Sequence, residues 1–180
     1  MLSDRDLKQL QREYQIINPF IEENIGPASI DLMLGNEFAI VRKERVDIID
    51  PEKDQMYMYE IIKANDYFIL HPGEFVLGTT VEEIYVPPEY VAQVDGRSSW
   101  GRLGIIVHAT AGFIDPGFKG KITLEISNIN HVPVKLKVGA RIAQIYFTKL
   151  TSPAINPYHG KYQGQKTVEV SKVFMDFDKK

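Results

Sequence analysis

The sequence predicts an all-β fold with a short N-terminal helix. Three observations carry this: a helix-start signature confined to the first residues, weak helical periodicity beyond Tyr14, and short apolar runs punctuated by Gly, Pro and Asp thereafter. At the start, Ser3 is an N-cap with Asp6 reaching back from the third helical position, and Leu2 and Leu7 sit where a hydrophobic staple places them. The later runs are YFIL before HPGE, FVLGTTVEEIYV before PPEY, VAQV before DG, then GIIVHATA, KITLEISN, VPVKLKVG and RIAQIYF. Regularly spaced short strands with such punctuation predict a sandwich or barrel. The segment 46 to 66, around DQMYMYE, fits no element, and its Met and Tyr side chains read as core or subunit-contact groups.

Bulk composition narrows the function classes. The 180 residues form one expected domain, 1 to 180, with 44% hydrophobic and 25% charged residues, as in a globular protein. A net charge of -3 with a sequence pI near 5.8 argues against the basic footprint that nucleic-acid binding needs. There is no cysteine, so disulfides, thiolate zinc sites and a cysteine nucleophile are excluded, as are the H-x-E and P-C-x-x-C ligands of zinc-dependent base deaminases. No apolar run approaches the roughly 20 residues of a membrane span, and MLSDRDLKQL lacks a signal-peptide core, so a cytoplasmic protein without a membrane partner is expected.

Two stretches carry chemistry. GRSSWGRLG, 96 to 104, reads either as a solvated turn or as an anion cradle. In the second reading Gly96 and Gly101 admit backbone amides to a ligand, and Arg97, Ser98, Ser99 and Arg102 donate to phosphate oxygens. Arginine suits this because its planar fork donates two parallel hydrogen bonds and stays charged. The run is not the G-x-x-x-x-G-K-[ST] phosphate loop.

In TAGFIDPGFKGKITLEISN, 110 to 128, a strand over KITLEIS puts Ile122, Leu124 and Ile126 on one face and Thr123, Glu125 and Ser127 on the other. Glu125 is then an outward solvated carboxylate or, if the polar face lines a pocket, a general acid/base. Asp115 is a turn residue before Pro116-Gly117 or a ligand for a sugar hydroxyl or water. His108 falls in an apolar run and reads as a core histidine, and no histidine pair has metal-ligand spacing, so no protein metal site is expected.

These residues together resemble the dCTP deaminase branch of the trimeric dUTPase superfamily. The likeness runs through PASIDLMLGNEF, HPGEF, DGRSSWGRLG, HATAGFIDPGFKGKITLEISN, VGARIAQIYF, TSPAINPY and GKYQGQ, covering most of 27 to 165. It implies a distorted β-barrel of the dUTPase-like type, with homotrimers building each site from neighbouring subunits and a closing tail; residues 152 to 180, polar and glycine-containing, read either as a disordered end or as a partly mobile lid and tail. It implies a triphosphate-binding turn at Arg97, Ser98, Ser99, Trp100, Gly101 and Arg102. Asp115 then lies near the deoxyribose 3′-hydroxyl, Thr123 and Leu124 contact the pyrimidine, and Glu125 is catalytic. Ser98, Arg102 and the Ala111 carbonyl orient the attacking water, and Gln144, Tyr158, Lys161 and Gln165 complete the nucleotide site.

The implied reaction is deamination of dCTP, with magnesium arriving on the triphosphate. TAGFIDPGF, with Gly112-Phe113, resembles the dUMP-forming branch, in which the same site also cleaves the triphosphate; a small residue at 112 would leave room for a second water. dUTP is then a further substrate and dTTP a feedback inhibitor. The alternatives are a plain dCTP deaminase releasing dUTP, a dUTPase that does not deaminate, and a nucleotide sensor without turnover. Two departures stand out: Trp100 replaces a smaller aliphatic residue, and only His159-Gly160 separate Tyr158 from Lys161.

Overall fold

The computed structural model describes residues 1–110 and 112–177. Helix α1 (Asp4–Tyr14) starts at the expected capping box: the Asp6 N–H donates to Ser3 Oγ and the Ser3 N–H donates to Asp6 Oδ2 at 3.1 Å. Leu7 and Leu10 drop from its inner face into the core, and left-handed Gln15 closes its C-terminus. The chain then forms strands β1 (Ile17–Asn18), β2 (Ile30–Val41), β3 (Tyr59–Lys63), β4 (Tyr67–Leu70), β5 (Phe75–Tyr85) and β6 (Tyr90–Gly96). A one-turn helix α2 (Ser98–Gly101) leads to β7 (Ile105–Ile106), β8 (Phe113–Ile114), β9 (Lys119–Asn128), β10 (Val134–Lys137) and β11 (Arg141–Lys149).

Nine strands join one antiparallel sheet whose main path is β7-β9-β5-β2-β11-β6-β8, with β1 on β5 and β3 on β2; β4 and β10 pair separately. The predicted all-β class with one N-terminal helix is therefore what the chain adopts. The segment 46 to 66 resolves into a 3₁₀ turn at Met56–Met58 running into edge strand β3. The predicted strand over GIIVHATA is shorter than its apolar run: only Ile105–Ile106 form a strand, because the chain bends at Val107. Inside the curled sheet lies one large apolar cluster, with Phe38, Leu124, Ile126, Ile145 and Phe147 fully buried.

The central strand β5 bulges. Its register with β9 runs from Thr79↔Thr123 to Glu83↔Lys121, and its register with β2 also shifts near Thr80. A bulge removes backbone acceptors from both ladders, and two side chains replace them. Thr80 Oγ1 accepts from the Ile122 N–H of β9 at 3.0 Å, and Glu82 accepts from the Met33 N–H of β2 at 3.0 Å. Both side chains are buried, Glu82 at 2% exposure.

Burial pushes the Glu82 carboxyl up to about 7 from an ordinary 4.5, against the opposing pull of the Met33 N–H and the Lys121 charge. The folded chain thus holds a proton that the unfolded chain has released between those two values, so stability falls as pH rises through this window and is flat above it. The difference is on the order of 3 kcal/mol. Glu82→Gln is expected to gain stability relative to the parent on going from pH 5 to pH 8 in thermal melts; a pH-independent difference would contradict the assignment.

Candidate active site

The polar face of β9 is where the chemistry collects. Ile122, Leu124 and Ile126 are buried, which turns Thr123 and Glu125 to the opposite face, onto a cavity of about 500 Å³. A cavity of that size suits a small organic ligand. Of the residues the sequence singled out, Glu125, Thr123, Asp115, Phe113, Tyr158 and Gln165 line it. Leu124 has a fully buried side chain, so only its backbone is left for a ligand.

Glu125 is held from the loop that follows β7. Its N–H donates to the Val107 carbonyl at 3.1 Å, and its Oε2 accepts from the Ala109 N–H at 2.9 Å. The side chain is 28% exposed, open enough to meet a ligand and enclosed enough to be shielded from bulk water. His108 lines the same cavity, with Nδ1 3.7 Å from Glu125 Oε2. That Nδ1 is buried without a hydrogen-bond partner among the described residues. The reading of His108 as a satisfied core histidine is thus corrected: the strand expected there ends early and the ring faces the site.

Gly112 has a structural demand on it. A Cβ there would stand 2.5 Å from the Val94 carbonyl oxygen and 3.3 Å from His108 Cδ2, because the loop packs directly on β6. The Val94 N–H donates to the Gly112 carbonyl at 2.7 Å, which fixes this approach. Ala111, expected to supply a carbonyl to the site, lies outside the described residues. Asp115 is exposed and its carbonyl opens the turn to Phe118. Gly117, at φ +89°, lets Pro157-Tyr158 pack against that turn.

The C-terminal segment lies along β9. The Lys121 N–H donates to the Gln165 carbonyl and the Gly164 N–H to the Lys119 carbonyl, so the tail occupies an edge of β9. Gln165 Nε2 donates to Thr123 Oγ1 at 2.6 Å, and Val168 and Val170 bury themselves against Ala39 and Leu77. Lys161 is directed elsewhere: its ammonium pairs with Asp176 at 2.7 Å and donates to the Lys172 carbonyl, within the tail.

The turn at 97 to 102 forms a second cluster, none of whose residues lines the cavity of the same chain. Ser98, Ser99, Gly101 and Arg102 are exposed. Arg97 Nε pairs with Asp31 at 3.0 Å, and its Nη1 donates to the Arg141 carbonyl at 3.1 Å. Trp100 packs on the core and donates its indole N–H to the same carbonyl at 2.8 Å, which is how the larger residue is accommodated. Gln144 sits beside this turn, its amide N–H 3.5 Å from the Gly96 carbonyl. A Cβ on Gly101 would meet open space among the described residues, whereas one on Gly96 would crowd Val107. Asp31 was not singled out in the sequence; alternation in SIDLML, which puts Asp31 opposite the buried Ile30, Leu32 and Leu34, was the available signal.

Known proteins resemble this chain along its whole length. A family described as dCTP deaminase-like matches residues 1–150. A protein of Dictyoglomus turgidum named "dCTP deaminase, dUMP-forming" is 52% identical over 98% of this chain and 96% of its own. A Natronomonas pharaonis protein named "dCTP deaminase" is 45% identical over 96% of this chain and 94% of its own. Among solved structures, the 2′-deoxycytidine 5′-triphosphate deaminase of Agrobacterium tumefaciens shares the fold at a TM-score of 0.67 and 24% identity, over 83% of this chain and 47% of that longer one.

Gly112→Ala is expected to destabilise the chain by about 1–3 kcal/mol, since backbone rather than a flexible side chain must yield. Thermal melting checks this, and an unchanged midpoint would mean the loop packs less tightly on β6.

Proposed function

The chain belongs to the dCTP deaminase-like family, and on that premise we propose that it converts dCTP and two waters to dUMP, ammonia and diphosphate in one site. The observation that carries this reading is Glu125, anchored by the Ala109 N–H and facing a cavity shared with Thr123, Asp115 and Gln165. In the first hydrolysis a water attacks C4 of the cytosine while Glu125 takes its proton. The same carboxyl delivers a proton to N3 and then serves the departing ammonia, so one carboxylate suffices without a metal-bound hydroxide. The amide donors and hydroxyls around it steady the charge that develops on the ring.

In the second hydrolysis a water attacks the α-phosphorus and the bond to the bridging oxygen of the β-phosphate breaks, releasing diphosphate. Asp115, on the cavity wall beside Phe113, is the residue we assign to orient that water. Among the described residues no three His, Asp or Glu side chains gather to hold a metal. Magnesium belongs to the substrate in this reading, arriving on phosphate oxygens and water and neutralising their charge.

Arg97, Ser98, Ser99 and Arg102 are assigned to the triphosphate, with Trp100 and Gly101 shaping the turn and Gln144 beside it. Since this turn does not line the cavity of its own chain, we assign it to the cavity of a neighbouring subunit in a homotrimer. Tyr158, Lys161 and Gln165 complete the site from the tail; Lys161 must leave Asp176 to reach a phosphate. dUTP is a second substrate and dTTP an inhibitor that the same cradle accepts. Among the described residues no helix is long and apolar enough to cross a membrane; the reading involves neither membrane nor nucleic acid, and assigns the reaction to the cytoplasm.

Incubation with dCTP and magnesium, resolved by ion exchange, is expected to yield dUMP with equimolar ammonia. Accumulating dUTP would support the plain deaminase, and no product would support a sensor. Glu125→Gln is expected to lower ammonia release by about 10²–10⁴-fold while dUTP is still cleaved; full deamination by this variant would remove the proposed base.

A further inference from the structure

We propose that His108 is a positioning residue for Glu125, donating from Nδ1 to Oε2 when substrate fills the cavity, and so turning the other carboxylate oxygen toward the reacting water. The inference rests on the reading of Glu125 as the group that moves protons. It starts from an anomaly: among the described residues the buried imidazole nitrogen has no partner, which costs free energy, and such groups in folded proteins are nearly always bonded. The nearest charged acceptor is Glu125 Oε2 at 3.7 Å. An N–H donor to a carboxylate bonds at about 2.7–2.9 Å, so the pair stands roughly 1 Å outside bonding distance. Catalytic hydrogen bonds are often long before the ligand binds and tighten afterwards.

The surroundings restrict both partners to this meeting. The ring is 11% exposed and its Cδ2 edge lies against the backbone at Gly112, where a methyl group would already crowd it. Glu125 Oε2 is also the oxygen that accepts from the Ala109 N–H, the residue next to His108. Two donors from adjacent residues would thus converge on Oε2, leaving Oε1 as the oxygen free to take and give protons. The other ionisable groups lining the cavity are Asp115, Lys121 and Glu169, with Tyr59, Tyr158 and Tyr162. None of these forms an ion pair with His108 or Glu125, whose sole salt-bridge contact among the described residues is with each other.

The test separates this role from simple packing. His108→Phe keeps an aromatic ring and loses the donor; His108→Asn puts an amide N–H where Nδ1 stood; His108→Gln puts it nearer the Nε2 position. Ammonia release from dCTP by His108→Phe is expected to fall about ten- to hundredfold in kcat, with KM within about twofold, because the lost bond acts on the base rather than on substrate binding. His108→Asn is expected to recover most of the rate and His108→Gln little of it. Cleavage of dUTP, which does not use Glu125 as a base, is expected to persist in all three. The proposal is overturned if His108→Phe deaminates like the parent, if Asn and Phe are equally impaired, or if deamination and dUTP cleavage fall together. If instead the parent releases no ammonia, or Glu125→Gln retains full turnover, the assignment of Glu125 itself is what fails.

Discussion

Strand β9 has to bury Ile122, Leu124 and Ile126, and that burial dictates where Thr123 and Glu125 point. Each such side chain contributes about 1.5–3 kcal/mol when withdrawn from water. A slip of one residue would expose all three and turn the carboxylate into the core. Hydrophobic burial, the strongest driving force in folding, therefore holds the register. What makes it unusual is that β9 pairs with a strand that bulges, and the ladder survives there because Thr80 and Glu82 stand in for backbone carbonyls on either side. The Thr80 bond falls on Ile122, one residue before Thr123.

Around that strand the chain places parts that different segments must deliver. The loop after β7 brings the Ala109 N–H and His108 over Glu125, and it fits against β6 only because residue 112 has no side chain. The tail runs along the same edge of β9, nearer its start, through its own backbone bonds, and Gln165 reaches Thr123. The arginine-bearing turn, held by Asp31 and by the Arg141 carbonyl, does not line the cavity of its own chain. A donor turn outside the cavity and a carboxylate on its wall suit a site assembled between copies, as the proposed trimer requires.

Much of this was legible in the residues. The capping box at Ser3 and Asp6, the alternation in KITLEIS and the dense likeness of GRSSWGRLG and FIDPGF to one family are local patterns, and local patterns survive translation into structure. What escaped was non-local. His108 sits in a run whose apolar character predicts a strand, and only the bend that follows Ile106 turns its ring to the cavity. Glu82 looks like one of two equivalent acidic residues in VEEIY, and nothing in the sequence distinguishes the one whose bulge buries it from Glu83, which meets Lys166 at the surface. Lys161, assigned by likeness to the nucleotide, is paired here with an acidic residue fifteen positions on.

Both hydrolyses are assigned to one cavity and one bound nucleotide. The most direct test supplies labelled dCTP together with a large excess of unlabelled dUTP and follows the label into dUMP. If one bound nucleotide passes through both steps, labelled dUMP forms without labelled dUTP appearing in solution. If the label collects as free dUTP and reaches dUMP only after the pool is consumed, the two reactions are separate events and the single-site assignment is wrong.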